Sequence, residues 1–188
     1  LRFLSVSEGS VFVGENEFGY CYRLQSVMLP STLRSVGPRA FYGCDELRQV
    51  SLPEGLLEVG EDAFYGCKSI KMLHVPGSVT AVDDRAFSGL FDLKTLSLGE
   101  GIRIIGEGAF AECSSLERIA FPSTLQMIDR DAFEASYGIR ELQLPEGLMM
   151  VDEGAFRCKA VTTVTVPSTL LYVGYRAFDF GSETAVRV

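Results

Sequence analysis

Phenylalanine occupies Phe18, Phe41, Phe64, Phe87, Phe110, Phe133 and Phe156, each 23 residues from the last, and returns at Phe178 after a step of 22. A fixed period of this length points to stacked units, because one unit of that size cannot bury an apolar face by itself. A second series, Pro30, Pro53, Pro76, Gly99, Pro122 and Pro145, keeps the 23-residue step and ends at Pro167 after 22. Both series lose one residue between Phe156 and Pro167, where FRCKAV replaces the FYGCDEL pattern. On this period each unit reads LxxVxLPxxLxxVGxxAFxxCxx, and units begin at Leu1, Leu24, Leu47, Ile70, Leu93, Leu116, Ile139 and Val161. Residues 185–188 match the strand of a ninth unit. The expectation is one domain over residues 1–188, with no room for a second.

Each unit has a local reading. In LRQVSLP, Val50 and Leu52 alternate with Gln49 and Ser51, the period of a half-buried strand, and Pro53 ends it. Leu56 and Val59 repeat the pattern more weakly, which predicts a second short extended segment. Gly37, Gly60, Asp83, Gly106, Asp129, Asp152 and Gly174 precede the Ala-Phe block and suit a helix N-cap, Pro38 suits the first helical position, and Gly43, Gly66 and Gly89 suit a stop. The block is therefore predicted to be a single short helix or tight helical turn, stabilised only by its neighbours. The phenylalanines (Phe41, Phe64, Phe87, Phe110, Phe133 and Phe156 in the central units) are predicted to form an aromatic spine, and the Ala40 to Ala177 column a close-packing contact.

This pattern resembles the BspA-like leucine-rich repeats, also called the Treponema-pallidum-type class, over the whole chain. The resemblance implies a leucine-rich-repeat solenoid of the α/β class, with mostly short parallel strands and short helical turns. Members of that family occur in bacteria of the mouth and gut and in some protists, often exposed on the cell surface, and several bind host matrix proteins or other cells. The implied role is a non-enzymatic adhesion or protein-binding module, on the cell surface or secreted, whose partner is a protein (a host matrix or cell-surface protein) or a glycan. A structural spacer or intracellular, cytoplasmic scaffold is the alternative, with end-to-end self-association through open apolar coils; a substrate-selecting domain of a larger enzyme is the third. The array starts and ends in mid-pattern, the chain does not begin with Met, and Glu17 stands where later units have Ala. A fragment of a larger protein, or a natural end repeat at the first unit, is expected.

Charge and cysteine placement narrow the chemistry. The net charge of -8 argues against a broad nucleic-acid surface, and no run approaches the ~18 uncharged apolar residues of a membrane span. Cys21, Cys44, Cys67, Cys113 and Cys158 all fall at one repeat position, which Leu90 and Ser136 fill elsewhere. A position that accepts Cys, Leu or Ser is a small buried packing site rather than a nucleophile, zinc ligand or disulfide half. His74 is the only histidine and lies at an outward strand position, so no catalytic residue is expected. The glycines of GEGIRIIGEG lack the Lys-Ser/Thr pair of a phosphate loop, and Asp83-Asp84, Asp129/Asp131 and Asp152-Glu153 lack the spacing of a calcium loop. No cofactor or metal is expected.

Recognition is then expected from residues that vary within the period. The strand face offers a column of Ser26, Gln49, Met72, Thr95, Arg118, Glu141 and Thr163, a second that includes His74, and a basic entry row of Arg48, Lys71, Lys94 and Arg140 interrupted by Glu117. Gln49, Lys71, Met72, His74, Lys94, Thr95, Arg118 and Glu141 are the candidate partner-binding residues. No dense aromatic patch is visible among them.

Overall fold

Every coil contributes two short strands, and the computed structural model, which describes residues 1–187, stacks these into two parallel rows. The first row contains β1 (Phe3–Ser5), β3 (Ser26–Met28), β5 (Gln49–Val50), β7 (Met72–Val75), β9 (Thr95–Leu98), β11 (Arg118–Ala120), β13 (Glu141–Gln143), β15 (Thr163–Thr165) and β17 (Ala185–Arg187). The second contains β2 (Phe12–Val13), β4 (Ser35–Val36), β6 (Glu58–Val59), β8 (Ala81–Val82), β10 (Ile104–Ile105), β12 (Met127–Ile128), β14 (Met150–Val151) and β16 (Tyr172–Val173). Hydrogen bonding divides the first row into β1-β3-β5, β7-β9-β11 and β13-β15-β17, and the second into β2-β4-β6 and β8 through β16. The result is a parallel β-solenoid of about eight turns. Val188, the last residue of the expected stub, lies outside the described residues.

The register follows the sequence period. Leu73 pairs with Leu96 and Leu96 with Ile119, whereas Glu141 pairs with Thr163 and Thr163 with Ala185 across steps one residue shorter. The same loop is thus shortened twice: Phe156-Arg157-Cys158 and Phe178-Asp179-Phe180 each lack one residue relative to Phe41-Tyr42-Gly43-Cys44. The lost turn residue lets Phe156 and Phe178 pair directly as a parallel bridge.

The Ala-Phe block forms tight turns, and no helix occurs among the described residues. Two constraints exclude the helix. Phe-minus-two residues such as Arg39, Asp62, Arg85 and Asp131 have φ of 51° to 56°, the left-handed region that interrupts a right-handed helix. In addition, alternate amides leave the segment. Arg39, Phe41 and Gly43 donate to the Glu61, Ala63 and Tyr65 carbonyls of the next coil, while Ala40, Tyr42 and Cys44 donate three residues back within the turn. The turn therefore satisfies its backbone as a strand and a β-turn do in alternation, which a helix three residues back cannot reproduce. The sequence signals for helix ends were real turn signals: Gly43, Gly66 and Gly89 carry φ of 66°, 70° and 72°.

Side chains inside the coils form continuous columns. Phe41, Phe64, Phe87, Phe110, Phe133 and Phe156 are fully buried, as are Ala40, Ala63, Ala86, Ala109, Ala132 and Ala155. Neighbouring rings from Phe18 to Phe178 lie with centroids 5.1 to 5.8 Å apart and planes within 20° of parallel. At that distance near-parallel rings are offset, the arrangement their quadrupoles favour, worth about 0.5–1.5 kcal/mol per pair beyond burial.

The proline turns hold a longer period. Glu-Gly turns (SEG, PEG, GEG and PEG at residues 7–9, 53–55, 99–101 and 145–147) alternate with Ser/Thr turns at 30–32, 76–78, 122–124 and 167–169. In three pairs the threonine is the lock. Gly9, Gly101 and Gly147 donate their amides to Thr32, Thr124 and Thr169 Oγ1 at 3.1, 2.9 and 3.0 Å, and each hydroxyl donates to a carbonyl of that preceding coil. These glycines have φ of 91°, 119° and 98°, a conformation that aims the amide at the hydroxyl. Glu100 adds a carboxylate that accepts from both the amide and hydroxyl of Ser123. Successive coils are thereby clasped two by two.

These contacts set an order of cost. Phe87→Ala should lower unfolding free energy by about 3–5 kcal/mol, the usual loss for a large buried aromatic. Thr124→Val, which orphans the Gly101 amide while keeping the side-chain shape, should cost about 1–2 kcal/mol. Urea unfolding of both variants checks the ranking, and an equal or reversed order would contradict it.

Candidate binding surface

The alternation of the first strand row turns one set of side chains inward and the other out. Leu73 and Val75 are buried, while Met72 and His74 between them are exposed, Met72 to 72%. Pairing brings Met72, Thr95 and Arg118 into one line and His74, Ser97 and Ala120 into the next. Gln49 pairs with Ser26 and Glu141 with Thr163, so these two candidates sit on the flanking hydrogen-bonded segments. Thr95 is half-buried; Gln49, Met72, His74, Arg118 and Glu141 are exposed. His74 reaches across coils in both directions, with Nε2 3.5 Å from Glu54 and Nδ1 3.3 Å from Ser97 Oγ.

The basic entry row is exposed and in register. The Lys94 amide donates to the Lys71 carbonyl, and the Glu117 amide to the Lys94 carbonyl. Glu117 lies 4.0 Å from Lys94 Nζ. Together with Ser115, Gly138 and Arg140 these two residues line a surface cavity of about 350 Å³. The row is therefore a basic edge with an acid inserted in it, and the cation at Lys71 stands apart from that pair.

The cysteine column packs inside the coil, and its thiols have a definite task. Cys67 Sγ donates to the Phe41 carbonyl at 3.2 Å, Cys44 to Phe18 at 3.3 Å, Cys113 to Phe87 at 3.6 Å and Cys158 to Phe133 at 3.2 Å. Ser136 makes the same bond to Phe110 at 3.2 Å, which explains why Cys and Ser exchange at this position. All five cysteines are free. Burial pushes the Cys113 and Cys158 thiols up to about 12 and Cys67 well above its ordinary value.

Three aspartates of the acidic pairs accept backbone amides. Asp84 Oδ1 accepts from the Glu107 amide of the next coil, while Asp129 and Asp152 accept from the amides that follow them. Among the described residues no group of three or more His, Cys, Asp or Glu side chains is placed to hold a metal ion.

Two features of the turn edge escape a reading focused on the strand face. Tyr42 and Tyr65 stack at 4.9 Å, Tyr20 leans on Tyr42 at 5.2 Å, and Tyr22 lies 5.9 Å from Tyr20, so aromatic rings do gather on the surface. Their signal was present in the sequence, since Tyr42 and Tyr65 follow successive column phenylalanines. Beside them Asp62, 3% exposed, accepts from Arg39 Nε at 3.3 Å and Arg85 Nε at 2.9 Å, which compensates its burial across three coils. Arg85 also pairs with Glu61.

Two parallel strand rows, a phenylalanine spine and a coil of 22 or 23 residues define a leucine-rich-repeat solenoid. The family description that matches is the BspA type leucine rich repeat region, in six copies over residues 11–102 and 80–186, and the chain belongs to that family. A leucine-rich repeat protein from Bacteroides ovatus has a crystal structure similar over 98% of this chain and 50% of its own, with 27% identity and a TM-score of 0.87. The leucine rich repeat protein of T. pallidum matches over 80% of this chain and 71% of its own, with 28% identity and a TM-score of 0.72. A leucine rich cell surface protein from Faecalibacterium prausnitzii shares the fold at 21% identity and a TM-score of 0.62, over 99% of this chain and 59% of its own. The chain thus spans about half the length of the B. ovatus structure. No curated protein matches it.

Thiol labelling tests the column directly. With a pKa of about 12, a thiol is ionised to the order of one part in ten thousand at pH 8. In the native protein iodoacetamide should therefore leave Cys67, Cys113 and Cys158 unmodified; Cys44, whose thiol pKa is lowered by its hydrogen bond with Cys67, should be shielded by burial alone, label should enter first at half-buried Cys21, and all five should react in denaturant. Peptide mass spectrometry reads the sites; rapid native labelling of Cys113 would contradict the packing described.

Proposed function

We propose that the chain is a non-enzymatic protein-binding module of a cell-surface or secreted protein, and that it meets its partner with the first strand row around Met72, Thr95 and Arg118. The observation that carries this reading is the contrast between columns. Inward positions keep Phe, Ala, Leu or Val in nearly every coil, whereas the outward line runs Ser26, Gln49, Met72, Thr95, Arg118, Glu141 and Thr163. A stacked scaffold leaves such positions free to differ, and side chains in register on a rigid sheet lose little freedom on binding.

Protein is favoured over glycan on this face because the exposed positions of β7, β9 and β11 carry no Phe, Tyr or Trp ring for a sugar to stack on. Lys71, Lys94 and Arg118 place positive charge locally on a molecule of net charge -8, which suits an acidic patch on the partner. The F. prausnitzii relative, described as a cell surface protein, supports the location.

The test is a binding screen against matrix and cell-surface proteins, followed by charge reversal on whichever partner is captured. Lys71→Glu, Lys94→Glu and Arg118→Glu combined should weaken binding about tenfold or more, chiefly through a slower association rate. Unchanged affinity and salt dependence in a folded triple variant would remove the strand face from the account.

A further inference from the structure

Four residues after each of the first six column phenylalanines lies a surface position occupied in turn by Tyr22, Asp45, Lys68, Phe91, Ser114 and Tyr137. Phe91 and Tyr137 are 38% and 56% exposed, and the small Ser114 stands between them. A missing large side chain in a regular column leaves a slot one coil wide. The structure holds a cavity of about 360 Å³ there, walled by Phe91 and Tyr137, floored by Ser114 and Ala135, and rimmed by Glu112 and Glu134. The Ser114 hydroxyl is turned toward the Phe91 carbonyl at 3.5 Å, which keeps the floor low.

The dimensions and charge of the slot select its occupant. Core rings of adjacent coils here are 5.5 Å apart, so the two aromatic walls are separated by roughly twice that. A cation centred between them lies within about 6 Å of both rings, the range over which a ring quadrupole attracts positive charge. One Glu134 oxygen already accepts from Arg157 at 2.9 Å, and Glu112 has no ion-pair partner among the described residues. A flat guanidinium uses both features: its charge falls within reach of both ring quadrupoles, which stand too far apart for it to touch both at once, its N–H groups are free to donate to the carboxylates, and it is more weakly hydrated than an ammonium.

We propose that the slot over Ser114 is a binding site for an arginine side chain of a partner protein. The site lies on the corner between the phenylalanine turn and the entry to the first strand row, involves none of the strand-face residues, and stands independently of their role. Arginine here is an anchor: one cationic side chain held between two rings and two carboxylates, with charge complementarity to an acidic molecule.

The probe is a capped Gly-Gly-Arg-Gly-Gly peptide titrated into ¹⁵N-labelled protein, with citrulline and lysine versions as controls. Citrulline keeps the planar shape and removes the charge. The arginine peptide should shift the Phe91, Ser114 and Ala135 amides, the citrulline peptide should bind about tenfold more weakly, and the lysine peptide should fall between. Ser114→Tyr, which fills the slot at an exposed position, should abolish these shifts while leaving the rest of the amide spectrum in place, and Glu112→Gln should weaken them. The proposal is overturned by absent shifts at these amides, by equal binding of the citrulline or lysine peptide, or by a Ser114→Tyr protein that binds as before.

Discussion

The face-to-face stack of phenylalanine rings sets the pitch on which everything else in this molecule rests. A ring contributes its full dispersion and quadrupole energy only with a neighbour on each side, so a coil is stabilised by the coils above and below it more than by anything within itself. The backbone around the rings obeys the same rule. Alternate amides of the Phe turn are satisfied only by the next coil, and the thiol or hydroxyl three residues after the Phe reaches the Phe carbonyl of the preceding one. Register, pitch and hydrogen bonding are thus a single constraint, and it propagates along the array one neighbour at a time.

That constraint separates scaffold from recognition. Positions inside the coil have little freedom: a larger residue in the fully buried alanine column overpacks the core, and a smaller one in the phenylalanine column leaves a void between stacked rings. Outside, a side chain may change without disturbing the stack, so chemical variety collects on the strand face and along the turn edge. Both surfaces inherit the same regular spacing. On the strand face it lines up Met72, Thr95 and Arg118, and on the edge it makes one small residue, Ser114, into a slot between two rings.

The architecture was legible in the sequence because it is periodic, and the errors arose where the average unit conceals something local. Strand rows, spine and the shared cysteine position follow from counting residues between phenylalanines. Of the two forms expected for the Ala-Phe block, tight turns are found and the short helix is not: Gly37, Pro38 and Gly43 suit a helix and a chain of turns equally well, while the left-handed conformation of Arg39 and Asp62 leaves no mark in residue type. The pairing of coils at the proline turns was invisible at a period of 23: only at twice that length does Glu-Gly alternate with Ser-Thr or its variant. The tyrosine edge is hard to see in the sequence because Tyr42 falls inside the repeated FYGC pattern beside a core phenylalanine, although its ring stacks on the surface against Tyr65. Buried Asp62 gave no signal, since its two arginine partners sit 23 residues away on either side.

The central claim is that each coil is held by bonds to its neighbours at the phenylalanine turn. Native-state hydrogen exchange measured residue by residue tests it most directly. The Phe64, Phe87 and Phe110 amides, which donate to Ala86, Ala109 and Ala132 of the following coils, should exchange only through global or multi-coil opening, with protection equal to that of the strand rows. Exchange of these three amides at the rate of exposed loop amides, with the strand rows still protected, would contradict the account.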